Sequence, residues 1–451
     1  MKKVSKRALF PLLLTIVLLI GCGVMVVRFF ARGSDWVTFP GSPHVYTNGE
    51  LRGLTVTDRS GTVLQGEDAS TDPTVRAAFL HLLGDRQGYI YAPMLPSFTD
   101  KLIGYDPVQG LYGQTEAASE IRLSLSAAAQ TAALRAIEGR RGIVGVMNYR
   151  TGELLCAVTA PSYDPDNRPD VESDDSGRYD GIYVNRFFNL TYTPGSIFKL
   201  VTTAAALEAL DDLENRSFTC EGETIIGGQK VICASKHGQI SFADALAKSC
   251  NIAFGELAAE LGSSRLQSAA KKLGLCESIR CDGLEAAAGR CDLSAADKGD
   301  TAWAGIGQYT VQVNALSFLR FMGMLAAGKE AAEPYLVQSV MRGDEAVYQA
   351  AQPLAGCPLS DRTLDTLRSL MRRNVQNIYG DEQFGGLNVC AKSGTAEHEG
   401  RTADAMFAGF VQDEKYPLAF VVFIEEGGAG SAVAAPIAAE VLRACVQAGI
   451  E

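Results

Sequence analysis

The stretch YTPGSIFKLVTTAAALEAL, residues 192–210, places a Pro-Gly turn directly before a serine, with a lysine three residues later in an apolar run. Turn residues followed by alanine, leucine and valine predict a core helix with Ser196 at its N-terminal end. Residues three apart share a helix face, so we expect Ser196 and Lys199 to point the same way. A lone Ser-x-x-Lys is usually an N-cap beside a lysine that extends to solvent. The pair therefore needs support from elsewhere in the chain.

Two further short motifs follow along the chain, Ser-Cys-Asn at residues 249–251 and Lys-Ser-Gly-Thr at residues 392–395. The sequence contains one Ser-x-Asn and one Lys-Ser/Thr-Gly, but two Ser-x-x-Lys matches. The second match, Ser268 to Lys271, lies in the middle of a polar helical segment without a preceding turn, which predicts a solvated surface pair. Ser196 alone combines the turn, the apolar helix and a place ahead of the other two motifs.

The residue types of these motifs fit acyl transfer. Serine is a weak nucleophile that needs an adjacent base, and no histidine or carboxylate lies in a matching motif, so Lys199 is the candidate base. A helix N-terminus and removal from water both disfavour an ammonium group, and both lower the pKa of a lysine. Backbone N–H groups at a helix start also supply half of an oxyanion hole, here the N–H of Ser196.

The three motifs resemble those of the penicillin-binding protein and serine β-lactamase superfamily. Other segments are similar to landmarks of the class B penicillin-binding proteins, namely RGLTVTDRSGTVL at 52–64, TAPSYDPD at 159–166 and AGIGQYTVQVNAL at 304–316. The last strands and helix, AGFVQ and FVVFIEEGGAGSAVAAPIAAEVL, also resemble those of the family. The short form without extra C-terminal domains resembles the subgroup called penicillin-binding protein A.

The resemblance implies roles in acylation for the first two motifs. Ser196 is expected to be the nucleophile and Lys199 its base. Ser249 is expected to relay the proton to the leaving amine, and Asn251 to hold an amide of the acyl donor. The second oxyanion donor is expected to be the N–H of Thr395.

For the third motif, the resemblance implies substrate binding. Lys392 is expected to be a catalytic residue. Together with Ser393 and Thr395, it would bind the terminal carboxylate of a D-alanyl-D-alanine peptide. Gly394 would let the substrate approach the strand closely. Two residues depart from the family pattern: Ser393 stands where threonine is usual and keeps a hydroxyl, and His398 is not expected.

Composition narrows the partners and cofactors. A net charge of −11 without a basic block outside the first seven residues excludes a nucleic-acid partner. The 11 cysteines are dispersed, and neither Cys-x-x-Cys pairs nor clustered histidines suggest zinc, so we expect no metal and no cofactor. Cys220 and Cys233 flank a hairpin-like stretch with Gly-Gly at its turn, and they are either cross-linked or free buried thiols.

The N-terminus predicts a membrane anchor. The uncharged run Ala8–Val27 has the length of about 20 residues that crosses a bilayer. Four basic residues precede the run and two follow it, which predicts a cytoplasmic tail and an extracytoplasmic remainder. A rival interpretation is a lipoprotein signal that ends at Cys22, but the apolar run continues beyond that cysteine, which a cleaved signal does not need.

The 451 residues divide into three predicted parts. Residues 1–34 form the tail and transmembrane helix, residues 35–120 a strand-rich membrane-proximal pedestal domain, and residues 121–451 a penicillin-binding transpeptidase domain. The predicted fold class is α+β, with an antiparallel sheet packed between helices, as in the serine β-lactamases and transpeptidases. Strands are expected to surround a helical middle.

The resemblance implies a peptidoglycan D,D-transpeptidase of cell-wall synthesis, anchored in the cytoplasmic membrane, that cross-links stem peptides through an acyl-enzyme on Ser196. Its expected partners are peptidoglycan stem peptides, β-lactam antibiotics and a membrane glycan polymerase of the shape, elongation, division and sporulation family. Two alternatives remain open: a β-lactam sensor or β-lactamase with the same serine, and a scaffold for such a polymerase. A dedicated base that activates water would favour a lactamase, but the candidate Glu285 lies in a segment that predicts an exposed loop.

Overall fold

A computed structural model describes residues 2–37, 46–47, 50–51, 53–85, 87–103, 119–137 and 139–450 of the chain. Its first element is helix α1, Lys2–Val37, which contains the apolar segment Ala8–Gly33; an 18-residue stretch of this segment has a mean hydropathy of 2.7, and none of that stretch is buried against the described residues. This segment is long and apolar enough to span a membrane. The predicted apolar helix is therefore present, and it continues beyond Val27.

Short and medium helices alternate with strands along the rest of the chain. The further helices are α2 Pro73–Leu83, α3 Thr99–Ile103, α4 Ala127–Ile137, α5 Arg186–Asn189, α6 Lys199–Ala209, α7 Phe242–Ala247, α8 Asn251–Leu261, α9 Ser263–Lys272, α10 Lys298–Gly305, α11 Ala315–Ala327, α12 Asp361–Asn374 and α13 Gly430–Gln447. The strands are β1 Tyr46–Thr47, β2 Glu50–Leu51, β3 Leu54–Thr57, β4 Val63–Gln65, β5 Ser119–Leu123, β6 Arg141–Asn148, β7 Leu154–Ala160, β8 Thr191–Tyr192, β9 Ser217–Cys220, β10 Glu223–Ile226, β11 Gln229–Ile232, β12 Gly238–Ser241, β13 Ile279–Cys281, β14 Leu284–Ala286, β15 Val313–Asn314, β16 Glu330–Ala332, β17 Val337–Arg342, β18 Glu345–Gln349, β19 Leu354–Gly356, β20 Val389–His398, β21 Arg401–Val411 and β22 Leu418–Glu425.

The central sheet is antiparallel and has five strands in the order β20-β21-β22-β6-β7. Successive side chains of a strand point to opposite faces of the sheet, and nearly all those of β6 and β22 are buried. Both faces of the sheet are therefore covered. In β6, Val144 and Val146 join the cluster that contains α4 and α13, whereas Ile143 and Met147 join the cluster that contains α6, α8 and α11. The expected antiparallel sheet between helices is thus confirmed.

A second five-stranded sheet has the order β18-β17-β5-β3-β4, with β3 parallel to β5. It combines the segment predicted as a pedestal with a strand pair from residues 337–349. Buried Val56 and Ile121 lie side by side in this sheet. The predicted division at residue 120 stays a prediction, and the strands on its two sides share one sheet. Residues 38–45 and 104–118 of the predicted pedestal lie outside the described part.

The helical middle differs from the sequence expectation at one point that matters for the site. The apolar pattern of residues 242–261 predicts one continuous helix, but the segment forms α7 and α8 with Ser249 between them at a φ of 57°. A non-glycine residue in this left-handed region ends a helix, and polar side chains tolerate it best. Because of this break, Ser249 belongs to neither helix, and its side chain points towards the central sheet.

Candidate active site

Ser196 lies in a 3-10 turn, Gly195–Phe198, which runs directly into α6. The serine is partly exposed, whereas Lys199, the first residue of α6, is fully buried. The Lys199 Nζ lies 3.0 Å from the Ser196 Oγ, so the two side chains share a face as the spacing predicts. The serine thus lies just ahead of the α-helix, where a substrate can reach it.

Glycine is required at the start of this turn. Gly195 has a φ of 51°, and its N–H donates to the carbonyl of Gly307, 3.0 Å away. A Cβ at this position would lie 2.4 Å from the carbonyl oxygen of Thr395. The turn Gly195–Phe198 therefore packs directly against strand β20, and a side chain at residue 195 would push the two apart.

The Ser-Cys-Asn motif surrounds the lysine. Lys199 Nζ lies 2.7 Å from the carbonyl oxygen of Ser249, 2.7 Å from Asn251 Oδ1 and 3.0 Å from Ser249 Oγ. The two carbonyl oxygens can only accept, and they match the two N–H donors of a neutral amine. The remaining lone pair is then free for a hydroxyl hydrogen, and Ser196 Oγ is within reach. Asn251 Nδ2 donates to the carbonyl of Ile232 at 2.8 Å, which leaves one amide hydrogen free.

The second lysine lies on the opposite side of Ser249. Lys392, in β20, is fully buried, and its Nζ donates to Ser249 Oγ at 3.1 Å and to the carbonyl of Ser393 at 2.8 Å. The Ser249 hydroxyl therefore lies between two lysine nitrogens. A hydroxyl in that position can take a proton from one side and give one to the other.

Burial changes the acid–base chemistry of both lysines. Removal from water lowers the pKa of Lys199 from 10.5 to about 7. Burial also holds the pKa of Lys392 well below its usual range, and the neighbouring Lys199 lowers it further. Lys199 can therefore be neutral near physiological pH, which is the form that accepts a proton.

The residues predicted to bind the substrate lie on β20, which is an edge strand of the central sheet. Gly394 faces the turn that carries Ser196, and a Cβ there would lie 3.0 Å from the Pro194 carbonyl oxygen and from Ile197 Cγ2. Thr395 is exposed and Ser393 is partly exposed. An edge strand leaves backbone groups free, so an extended peptide can bind beside it.

Tyr379 was not identified from the sequence. Its hydroxyl accepts the backbone N–H of Ser393 at 2.9 Å and lies 3.0 Å from Ser393 Oγ. Its ring packs edge-on against Phe407, and burial raises the pKa of the phenol. The residue lies in the π-helical turn Val375–Tyr379 after α12, remote in sequence from any motif. A partly buried aromatic residue outside any motif gives no signal in a single sequence.

Four other residues singled out in the sequence lie away from this cluster. Ser268 and Lys271 are exposed on α9, as expected for a surface pair. Glu285 is exposed as expected, but it lies in strand β14 rather than in a loop, and Ser278 Oγ donates to it at 2.9 Å. His398 Nε2 lies 2.7 Å from Asp404 Oδ2 at the end of the β20–β21 hairpin.

The cysteines of the predicted hairpin are free. Strands β10 and β11 pair as a hairpin around Gly227 and Gly228, as the Gly-Gly turn predicts. Cys220 and Cys233 are buried thiols that form no disulfide in the structure. The second of the two sequence alternatives is therefore the one that the structure adopts.

Comparison with known proteins gives a consistent set of similarities. The family profile described as penicillin binding protein transpeptidase domain matches residues 142–443. A relative from Mycolicibacterium smegmatis, peptidoglycan D,D-transpeptidase PbpA, is 29% identical over 334 residues, which is 68% of this chain and 68% of that protein.

Solved structures are also similar. The ceftriaxone acyl-enzyme complex of penicillin-binding protein A from M. tuberculosis has a TM-score of 0.73 and 24% identity, and the match covers 87% of this chain and 98% of that chain. A chain from a peptidoglycan synthase complex, described as coordinating polymerization and crosslinking, has a TM-score of 0.62 and 26% identity. That match covers 72% of this chain and 63% of the other.

Proposed function

The chain belongs to the penicillin-binding protein transpeptidase family, and from this premise we propose that it cross-links peptidoglycan stem peptides through an acyl-enzyme on Ser196. The similar protein from M. smegmatis carries the name D,D-transpeptidase, which supports this reaction for the present chain. The single observation that carries the assignment is the 3.0 Å distance from Ser196 Oγ to the Nζ of a fully buried lysine.

Acylation begins with the neutral amine of Lys199, which takes the hydroxyl proton of Ser196 as the oxygen attacks the penultimate D-alanine carbonyl. A bond forms between Ser196 Oγ and the carbonyl carbon, and the peptide bond to the terminal D-alanine breaks. The leaving amine takes up a proton through the Ser249 hydroxyl, which lies 3.0 Å from Lys199 and 3.1 Å from Lys392. The products are an ester on Ser196 and free D-alanine.

Substrate binding uses the open edge of β20. The ammonium of Lys392 and the hydroxyls of Ser393 and Thr395 bind the terminal carboxylate of the donor. The N–H groups of Ser196 and Thr395 stabilise the oxyanion that develops on the carbonyl during attack. The free amide hydrogen of Asn251 is available to the acyl side chain of the donor.

Deacylation completes the cross-link. The amine of a neighbouring stem attacks the ester carbon, a new amide bond forms, and Ser196 regains its proton as the ester bond breaks. Among the described residues, no carboxylate hydrogen-bonds to Ser196, Lys199 or Ser249, so the site has no second base beside Lys199 that is dedicated to activating water. Attack by an amine is therefore favoured over hydrolysis.

The experiment uses the full chain in detergent micelles and separates transpeptidation from hydrolysis. A D-alanyl-D-alanine peptide is supplied as donor and a D-amino acid as acceptor, and products are followed by mass spectrometry. We expect an exchange product that depends on the acceptor, together with a penicilloyl-enzyme that persists after the drug is removed.

The matched control is Ser268→Ala, in the second Ser-x-x-Lys, which should retain the exchange activity of the wild type. Release of the penicilloyl group within seconds, with catalytic turnover of the drug, would identify a β-lactamase instead. The absence of both acylation and exchange would favour the noncatalytic scaffold.

The same proposal includes a location and a partner. The four basic residues at the start of α1, ahead of its apolar segment, favour a cytoplasmic N-terminus, which puts the site outside the cytoplasmic membrane, where peptidoglycan is assembled. The similarity to a chain from a peptidoglycan synthase complex supports a membrane glycan polymerase as partner. Glycan polymerisation by the partner and cross-linking by this chain would then act on the same glycan strand.

A further inference from the structure

Four side chains of the kinds that bind metal ions lie close together at the Ser-Cys-Asn motif. The Sγ atoms of Cys220, Cys233 and Cys250 and a ring nitrogen of His237 all lie within 4.8 Å of one another. The three cysteines are buried and the histidine is partly exposed. Three thiols and one imidazole at this separation form the donor set of a tetrahedral zinc site.

The fold brings these residues together from three separate segments. Cys220 ends β9, Cys233 follows the β10–β11 hairpin, His237 precedes β12 and Cys250 is the N-cap residue of α8. The backbone fixes their positions, because the N–H of Cys233 donates to the carbonyl of Gly222 at 2.8 Å and the N–H of His237 to that of Cys220 at 3.1 Å. This wide spacing in sequence is why no zinc motif was recognised there.

The separations fit the size of the ion. Zinc–sulfur bonds of about 2.3 Å in a tetrahedron put donor atoms about 3.8 Å apart. Cys233 Sγ lies 3.7 Å from His237 Nδ1. The Cys233 sulfur also accepts the backbone N–H of Asn251 at 3.4 Å, a contact that a coordinating thiolate commonly makes.

We propose that Cys220, Cys233, His237 and Cys250 bind one Zn²⁺ ion in a closed structural site. Each thiol gives up its proton to solvent when the ion binds, and the histidine coordinates through a neutral nitrogen. Four protein ligands leave no open position, so the ion takes no part in the reaction of the proposed active site.

The site stabilises the turn that carries two proposed catalytic residues. Cys250 lies between Ser249 and Asn251, both of which contact Lys199. Ser249 has a φ of 57°, a conformation that costs free energy unless the surroundings hold it. The ion joins this turn to the hairpin, and the hydrogen bond from Asn251 to Ile232 reinforces the same connection.

A first test measures bound metal. The full chain is purified in detergent with metal-free buffers, and its zinc content is measured by inductively coupled plasma mass spectrometry. We expect about one zinc ion per chain, and a loss of most of it in Cys220→Ser and in His237→Asn. Cys357→Ser is the matched control, because this partly exposed thiol lies outside the cluster and its loss should leave the zinc content unchanged.

A second test uses only the wild-type chain, so it does not depend on whether the variants fold. Zinc is removed from the wild-type chain with a chelator and replaced by Co²⁺, whose visible absorption reports tetrahedral coordination and whose near-ultraviolet bands report thiolate ligands. The expected spectrum shows both. X-ray absorption of the zinc form should show sulfur at about 2.3 Å and nitrogen at about 2.0–2.1 Å.

Two results would overturn the site. One is a chain that holds no zinc as purified and takes up neither zinc nor cobalt after reduction. The other is a disulfide between Cys220 and Cys233 in the membrane-bound protein, seen as a cross-linked peptide. Ser196→Ala should keep the full zinc content, so failure of the metal site and failure of the proposed reaction are distinguishable.

Discussion

At the scale of single residues, the proposed acylation depends on the protonation state of Lys199. Its pKa of about 7 results from removal from water, since the ammonium would be fully buried. A lowered pKa means that the neutral, proton-accepting form prevails above about pH 7 and is lost below it.

The first prediction concerns the pH profile of acylation. The second-order rate constant for acylation by benzylpenicillin should rise with pH through about 7 and then level off, because the base must be neutral. Lys199→Arg should lower the plateau about 10²–10⁴-fold, since a guanidinium stays charged. Lys271→Arg, in the exposed Ser-x-x-Lys, should behave as wild type. A pH-independent rate in the wild type would mean that another group is the base.

The second prediction concerns Tyr379. Tyr379→Phe keeps the ring against Phe407 but removes the acceptor of the Ser393 N–H. We expect acylation efficiency to fall about tenfold, which corresponds to the loss of one partly buried hydrogen bond. The thermal midpoint should change little. Tyr348→Phe, which removes a hydroxyl from β18 in the other sheet, is the control. Equal losses in the two variants would show that Tyr379 has no specific effect on the site.

Much of the proposed site was predictable at this scale because its residues lie in short motifs. Ser196, Lys199, Ser249, Asn251 and Lys392 meet in one hydrogen-bonded cluster, although their roles stay predictions. Tyr379 and the four residues of the proposed metal site escaped because their proximity arises only from tertiary packing. Spacing in sequence carries no signal for such contacts.

At the scale of elements, helix α2 contains a histidine whose pKa differs between the folded and the unfolded chain. His81 is buried, and its Nε2 lies 2.7 Å from the carbonyl oxygen of Ile182. Burial lowers its pKa from 6.5 to about 4, although this hydrogen bond opposes the shift, and nearby Arg186 lowers it further. The folded chain therefore holds this side chain neutral where the unfolded chain would protonate it.

The third prediction follows from that difference. The contribution of His81 to the free energy of unfolding is fully present above about pH 6.5 and declines as the pH falls towards 4. Between pH 7.5 and 5 the loss should be roughly 2 kcal/mol. Thermal unfolding of wild type and of His81→Gln, in which the amide can still donate to Ile182, measures the difference. Equal pH dependence of the two chains would contradict the assignment.

The strands and helices themselves were largely predictable, because periodic apolar patterns reflect burial. Strands β21 and β22 and the last helix match the sequence expectation. The break between α7 and α8 was not predictable, since the left-handed conformation of Ser249 is imposed by its surroundings and nothing in the residue type requires it. The pairing of β3 with β5 likewise depends on distant parts of the chain.

At the scale of the whole molecule, helix α1 contains an apolar stretch of 18 residues, none of which is buried against the described part of the chain. Its apolar run extends on both sides of Cys22, which favours an uncleaved anchor over a lipoprotein signal. The two possibilities give different mature N-termini and different attachments to the membrane.

The fourth prediction is that Cys22→Ser stays membrane-bound and keeps its N-terminal tail. Mass spectrometry of the mature protein identifies its first residues. In intact spheroplasts, added protease should digest the part of the chain after α1 and spare a tag on the N-terminal tail. An N-terminal, lipid-modified Cys22 would establish the lipoprotein instead, and a protected C-terminal part would reverse the proposed orientation.

The central claim, that Ser196 is the acylated residue, is tested most directly by covalent labelling. The full chain in detergent is incubated with benzylpenicillin, and intact mass and peptide mapping locate the adduct. Ser196 lies 3.0 Å from the Nζ of a buried lysine, whereas Ser268 is exposed on α9. We predict one penicilloyl group on Ser196 in the wild type and in Ser268→Ala, and none in Ser196→Ala. An adduct that persists in Ser196→Ala would contradict the account.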